Sequence, residues 1–128
     1  MEHGDILDKA FERAQAVIVL LTPDDQARLR SPYRKANDPA YEKRLTGQAR
    51  PNVLFEAGMA FGRHPDHTIL VQVGETREFS DIAGRHVVRL SQSAESRQEL
   101  ASRLETAGCQ PNLDGSEWLS AGTFRIKA

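Results

Sequence analysis

The sequence predicts an α/β fold in which helices cover both faces of a parallel sheet. Two observations lead to this prediction. The strand candidates are short, unbroken runs of aliphatic residues, and segments with helical spacing of apolar residues alternate with them. Strands of this kind are typically buried on both faces, and strand–helix–strand order connects parallel neighbours. The length of 128 residues, with 39% hydrophobic and 27% charged, fits one domain over residues 1–128.

A helix and a strand open the chain. Residues 5–15 carry apolar side chains at helical spacing, with Asp5 as a candidate N-cap. Residues 16–22, AVIVLLT, follow as a strand that the unbroken apolar run predicts to be buried on both faces. The sequence TPDD ends this strand.

Residues 23–50 show no periodicity and contain three prolines, Gly47 and many charges. A connection this long within a compact domain is typical of a lid or binding loop, and here it follows the carboxyl end of a strand. The alternative is a flexible, solvated loop. The sequence leaves both open.

Residues 51–63 form the clearest helix candidate, because Pro51 suits the first turn and the apolar residues that follow keep helical spacing. Gly58 and Gly62 weaken helix propensity, so we expect them to allow close packing against the sheet.

Two further strands are predicted at residues 68–73 and 86–90, separated by a loop at 74–84. A last helix, residues 94–107, turns Leu100 and Leu104 inward and stops at Gly108. The tail, residues 109–128, contains Trp118, Leu119, Phe124 and Ile126 and is expected to pack on the body of the domain.

Composition excludes several classes of function. The net charge of -1 gives no field that would gather nucleic acid or an anionic membrane. The longest apolar run is too short to cross a bilayer, the N-terminus lacks a signal-peptide layout, and one cysteine agrees with a reducing compartment. We therefore expect a cytoplasmic protein with neither nucleic-acid nor membrane partners.

Familiar site motifs are missing from the sequence. It has neither GxGxxG nor GxxxxGK[ST], so any nucleotide is held in another way. The four histidines lack the spacing and cysteine partners of a zinc site, and no serine lies in a nucleophile elbow. We expect no metal.

Candidate site residues lie where ligands bind in such sheets, at the carboxyl ends of the strands. Asn52 and Glu56 share one helix side in its first two turns, although a lone glutamate on an amphipathic helix is more often a solvated surface residue. Asp24 and Asp25 follow a buried strand and suit a ribose hydroxyl, but capping is the commoner use of aspartate. The pattern alone does not decide between these roles.

Three segments together carry a resemblance to a known family: TPDD, then ARPNVLFEAGMAFGR, then SDIAG. They resemble the predicted nucleotide-binding TIR-like domains of bacterial antiphage effectors that respond to cyclic nucleotides. The resemblance implies a flavodoxin-like or TIR-like sheet with helices on both faces. It also implies that Glu56 is the catalytic carboxylate for cleavage of the nicotinamide–ribose bond of NAD. NAD is then the substrate, and no cofactor is expected. Supporting roles are implied for Thr22, Asp24, Arg50 and Asn52.

The resemblance further implies that the first strand, helix and second strand of the domain are missing. In the strand order 2-1-3-4-5, residues 16–22 then form an open edge. Such an edge must be covered, either by a second copy in a homo-oligomer or because the natural protein is longer. The loop after the missing second strand helps to form the substrate pocket in this family, so its absence weighs against catalysis by this chain. The resemblance also implies a cyclic-nucleotide-sensing partner or domain.

Three functions therefore stand as hypotheses. The first is an NAD hydrolase acting as an antiphage effector. The second is a non-catalytic TIR-like module that binds nucleotide or associates with itself, and the third is an activity like that of nucleoside deoxyribosyltransferases.

Overall fold

A computed structural model describes residues 6, 9–10, 13–77 and 87–125. The predicted helix at residues 5–15 falls mostly outside this part of the chain, as do the SDIAG segment and the end of the tail with Ile126. The helices and strands of the described residues are β1 (Val17–Leu21), β2 (Asp25–Ala27), α1 (Ala40–Lys43), β3 (Thr46–Gln48), α2 (Pro51–Arg63), β4 (Thr68–Gln72), β5 (Val87–Arg89) and α3 (Ala94–Thr106), with 3-10 turns at Ser31–Tyr33 and Glu117–Leu119.

The described strands β1, β4 and β5 form a parallel sheet in that order. Val17 of β1 pairs with Thr68, and Leu70 of β4 pairs with Val87 of β5. All three strands lie within the segments that the sequence predicts, and the α/β class is confirmed.

Helices cover opposite faces of this sheet, which follows from the alternation of side chains along each strand. On one face, Val19, Leu21 and Leu70 form a core with Ala57 and Ala60 of α2. The other face forms a second core under α3, whose members are Ile69, Val71, Val88, Ala107 and the adjoining Leu100 and Leu104. The inward orientation predicted for Leu100 and Leu104 is therefore correct.

The prediction that the first strand is buried on both faces is wrong for β1. Ile18 and Leu20 are 49% and 53% exposed, whereas Leu21 is 2% exposed. These two side chains point to the face that α3 covers, but α3 packs mainly at the β5 end of the sheet, where Leu100 and Leu104 adjoin the second core. Among the described residues, β4 has its apolar side chains buried on both faces.

Two small residues bring α2 close to the sheet, and they are alanines rather than the glycines predicted from the sequence. Ala57 is 1% exposed and Ala60 is fully buried. Gly58 and Gly62 are exposed, and a Cβ on either would meet no atom within 4 Å. At the end of α2, the Thr68 hydroxyl donates hydrogen bonds to the carbonyls of Ala60 (2.9 Å) and His64 (2.7 Å). These bonds satisfy terminal carbonyls and tie the helix to β4.

Residues 23–50 contain four short elements that the sequence did not predict, namely β2, the Ser31–Tyr33 turn, α1 and β3, and Gly47 of β3 contacts the carboxyl end of the sheet. β2 and β3 pair antiparallel, and Arg77 donates its backbone N–H to the Gly47 carbonyl at 2.7 Å. A Cβ on Gly47 would lie 2.3 Å from Pro23 Cβ and 2.8 Å from the Glu75 carbonyl oxygen, so glycine permits this close approach.

The tail packs on α3, as predicted. Buried Arg97 donates hydrogen bonds to the carbonyls of Trp118 and Ala121, and the Phe124 ring lies 4.8 Å from its guanidinium. The helix begins at Ala94 and is capped by Ser93, whose side chain accepts a hydrogen bond from the Ser96 N–H. Gly108 follows it with φ of 94°, which suits the glycine stop predicted there.

Because β1 is buried on one face only, its two adjacent leucines are expected to contribute very differently to the free energy of unfolding. Leu21→Ala removes a side chain from the packed core and is expected to lower the free energy of unfolding by about 2–5 kcal/mol. Leu20→Ala is expected to cost about 0.5 kcal/mol or less, because its side chain is half exposed. Urea unfolding at low protein concentration measures both. Equal costs would mean that the outer face of β1 is covered in solution.

Candidate functional site

Glu56 lies in the second turn of α2, next to the buried Ala57. Its side chain is partly buried, and its Oε1 accepts a hydrogen bond of 3.2 Å from Asn52 Nδ2. The two residues are four positions apart, so their side chains are neighbours on the helix surface. The helix therefore holds a carboxylate at the rim of the sheet, oriented by an amide.

Thr22, Asp24 and Arg50 form a second polar group between the end of β1 and the start of α2. Thr22 Oγ1 donates to Asp24 Oδ1 at 3.0 Å, and Arg50 Nε lies 3.5 Å from Asp24 Oδ2. The Arg50 and Asp24 side chains are 67% and 42% exposed, so this ion pair contributes little to stability.

The sequence-predicted site residues thus lie in two groups at the start of α2. Arg50 is the residue before Pro51, and it has the extended backbone of an N-cap without a side-chain hydrogen bond to the helix. No hydrogen bond or ion pair among the described residues joins the Thr22, Asp24 and Arg50 group to Asn52 and Glu56. Both groups nevertheless lie at the carboxyl edge of β1, where ligands bind in parallel sheets.

A cleft of about 600 Å³ opens at the carboxyl ends of β4 and β5. Its walls come from the residues before and within β3, from the ends of both strands and from the segment after β4. The described residues that line it are Arg44, Leu45, Thr46, Gly47, Gln72, Glu75, Thr76, Arg77 and Arg89.

Three of these lining residues, Arg44, Arg77 and Arg89, were not singled out from the sequence. They come from three separate segments, so no spacing links them. The available signal was positional: Arg89 is the next-to-last residue of the strand predicted at 86–90, and Arg77 lies in the loop predicted after the strand at 68–73. Arg77 is anchored, because its Nη2 lies 2.6 Å from Glu42 Oε1 and its side chain is only 14% exposed.

Glu56 and Asn52 supply a carboxylate and an amide near the carboxyl edge of β1. Neither residue is among those that line the cleft. A carboxylate in this position can hydrogen-bond to sugar hydroxyls and can stabilise positive charge that develops on a ribose ring. Arg50 offers a guanidinium, which suits a phosphate.

The described residues contain no group of three or more His, Cys, Asp or Glu side chains placed to hold a metal ion. Among the described helices, none is long and apolar enough to cross a membrane.

Comparisons with known proteins identify the family. No curated protein and no solved structure matches the chain. A family model does match: the one described as CAP12/Pycsar effector protein, TIR domain, over residues 1–92. This match covers β1 to β5 and every residue of the two polar groups. The chain therefore belongs to the TIR-domain family of CAP12/Pycsar effectors.

Proposed function

We propose that this chain is a TIR-domain NAD hydrolase of bacterial antiphage defence, with Glu56 as its catalytic carboxylate. The observation that carries the proposal is the Glu56–Asn52 pair, which holds a carboxylate at the carboxyl edge of the sheet. Family membership supports it, because effector domains of this kind act on a cellular target when a defence system is triggered.

In the proposed reaction, the bond between ribose C1′ and the nicotinamide nitrogen breaks. Nicotinamide is already a cation in NAD, so it leaves as a neutral base with the bonding electrons. Positive charge then develops on the ribose, and the Glu56 carboxylate stabilises it while hydrogen-bonding to the ribose hydroxyls. A water molecule adds to C1′ and loses a proton, which gives ADP-ribose.

The second polar group has a supporting role in this proposal. Thr22 and Asp24 offer oxygens to a ribose hydroxyl, and Arg50 contacts a phosphate oxygen. The Asp24–Arg50 ion pair is well exposed and therefore inexpensive to rearrange when a ligand binds.

Glu56→Gln keeps the size of the side chain and removes its charge. Nicotinamide release from NAD is expected to fall about a hundredfold or more, since the developing cation loses its counter-charge. The free energy of unfolding is expected to change by about 0.5 kcal/mol or less, because Glu56 lies beside the apolar stripe and not within it. Chromatography of released nicotinamide and urea unfolding measure the two effects.

Glu105→Gln on the exposed side of α3 is the matched control and should leave nicotinamide release unchanged. Unfolding of the Glu56 variant would count against a site role. Base exchange on deoxynucleosides without nicotinamide release would instead support the deoxyribosyltransferase alternative.

Asn52→Ala removes the hydrogen bond that orients Glu56. We expect kcat for nicotinamide release to fall about tenfold with little change in KM, because the carboxylate remains but is less well positioned. Steady-state kinetics measure kcat and KM separately, with Asn37→Ala, an exposed residue outside both polar groups and the cleft lining, as the control. A rise in KM alone would make Asn52 a substrate-binding residue.

A second candidate function, a self-associating TIR-like module, is favoured by the exposed apolar face of β1. Ile18 and Leu20 point to the same side, and within the described sheet β1 pairs with β4 alone. Unpaired strand edges and exposed apolar side chains both promote association with another chain. We propose a second copy as that partner, which gives a homo-oligomer through residues 16–22.

The double variant Ile18→Lys, Leu20→Lys places charges on this face, and charged side chains discourage pairing at an edge. The unaltered chain is expected to gain mass with concentration in sedimentation velocity, whereas the double variant stays monomeric. Phe55→Lys, which alters a 68% exposed residue on α2, is the control and should associate normally. A monomer at every concentration for the unaltered chain would refute the proposal.

A further inference from the structure

Arg97 of α3 is a buried cation whose hydrogen-bonding capacity is only partly used. The residue is 5% exposed, and its Nη1 donates to the carbonyls of Trp118 and Ala121 in the tail. Its Nε and Nη2 are also buried, and they have no hydrogen-bond partner among the described residues. Arginine stays protonated in proteins, so a positive charge is held here with two of its nitrogens unpartnered. The attachment of the tail explains Nη1 but not the other two nitrogens.

The two unpartnered nitrogens are the pair that a carboxylate recognises side-on. Within a guanidinium group, the Nε–H bond and one Nη2–H bond are parallel and lie on the same edge, so they can donate to both oxygens of one carboxylate. None of the ion pairs among the described residues includes Arg97. A buried charge without a counter-ion is costly, and buried donors without acceptors add to that cost. A bound carboxylate would remove both costs.

A cavity of about 260 Å³ lies between α3 and the tail, and Arg97 is one of its lining residues. Apart from Arg97 and Asn112, the lining is apolar. Leucines of α3 form one side, and the tail supplies Pro111, Leu113, Trp118 and Phe124. The cavity shares no lining residue with the cleft at the ends of β4 and β5. Except for Leu90, its lining residues follow residue 92, where the match to the family model ends.

We propose that this cavity binds a small organic carboxylate with an apolar body. The guanidinium edge takes the carboxylate, and the apolar walls take the rest of the molecule. One guanidinium balances one negative charge, so a doubly charged phosphate would keep uncompensated charge in apolar surroundings. The volume lies just below the usual range for small-molecule sites, about 300–1,000 Å³, and therefore selects a ligand of the size of a monocyclic acid. Binding of this kind is independent of the reaction proposed for Glu56.

Hydrogen bonds hold the walls of the cavity in place before a ligand arrives. Trp118 Nε1 donates to the Leu113 carbonyl at 3.0 Å, which fixes the indole against the tail. The Gln92 side chain accepts from the Phe124 N–H, and the Phe124 ring lies 4.8 Å from the Arg97 guanidinium. Walls that are ordered in advance lose little entropy when a ligand binds.

Trp118 makes binding measurable, because it lines the cavity and is the single tryptophan of the chain. Phenylacetate is the probe, and its titration should give a saturable change in tryptophan fluorescence, with the affinity checked by calorimetry. Phenylacetamide has the same shape without the charge, and its affinity should be about tenfold lower or less. The absence of saturable binding of phenylacetate would overturn the proposal, as would equal affinity for the amide.

Arg97→Lys keeps the charge but removes the paired donors, so the affinity for phenylacetate should fall about tenfold or more. An unchanged affinity would overturn the role of Arg97. Because Arg97 also holds the tail, the Trp118 emission spectrum and urea unfolding show whether the tail of this variant still packs.

Leu113→Glu tests the same recognition with Arg97 in place. Leu113 lines the cavity and is 36% exposed, so a negative charge there should repel the probe and lower its affinity about tenfold or more. Leu113→Gln, which is similar in size but neutral, should lose much less. Leu45→Glu, the same change at a 54% exposed leucine outside this cavity, is the matched control and should bind normally. Equal losses in Leu113→Glu and Leu45→Glu, or no loss in either, would contradict the proposal.

Discussion

The packing of two alanines of α2 on the β1–β4 pair is the constraint on which the site depends. Ala57 and Ala60 are almost wholly buried, so the helix lies close to the sheet in one rotational setting. A rotation by one residue would bury Glu56 in place of Ala57, and an unpaired carboxylate in an apolar core costs several kcal/mol. The core thereby holds Glu56 at the rim, where Asn52 reaches it.

The hairpin of β2 and β3 organises the rest of the same edge. Gly47 lies so close to Pro23 and the Glu75 carbonyl that a side chain there would collide with both. This contact holds the hairpin against the end of the sheet. The hydrogen bond that Arg77 Nη2 donates to Glu42 Oε1 joins the connection between β2 and β3 to the segment after β4. Residues 44–47 of the long segment thus form one wall of the cleft, which agrees with the binding-loop alternative.

Strands β1, β4 and β5 and helices α2 and α3 were predictable because apolar runs and helical spacing record burial directly. The short elements β2, α1 and β3 were not, because residues 23–50 carry no such pattern. The sequence could not show that Ile18 and Leu20 are exposed, because AVIVLL is equally apolar throughout and burial depends on what covers each face. Glu56, Asn52 and Arg50 could be proposed as site residues because they lie in one continuous motif. The sequence could not predict Arg44, Arg77 and Arg89 as cleft-lining residues, because tertiary structure brings them together from three segments. Gly58 led to a wrong prediction of close packing, because a helical glycine allows close packing only when it faces the core.

The position of β1 links the two proposed functions. Thr22 and Asp24 follow β1 directly, so a strand that paired with its open edge would lie about 4.8 Å away and bring its own flanking residues beside this polar group. The face that carries α2 and Glu56 is opposite to Ile18 and Leu20, so packing on the latter leaves the side proposed for catalysis accessible. The proposed self-association at β1 would therefore add residues to the proposed site without covering it, and assembly would then have a direct physical means of controlling the proposed activity.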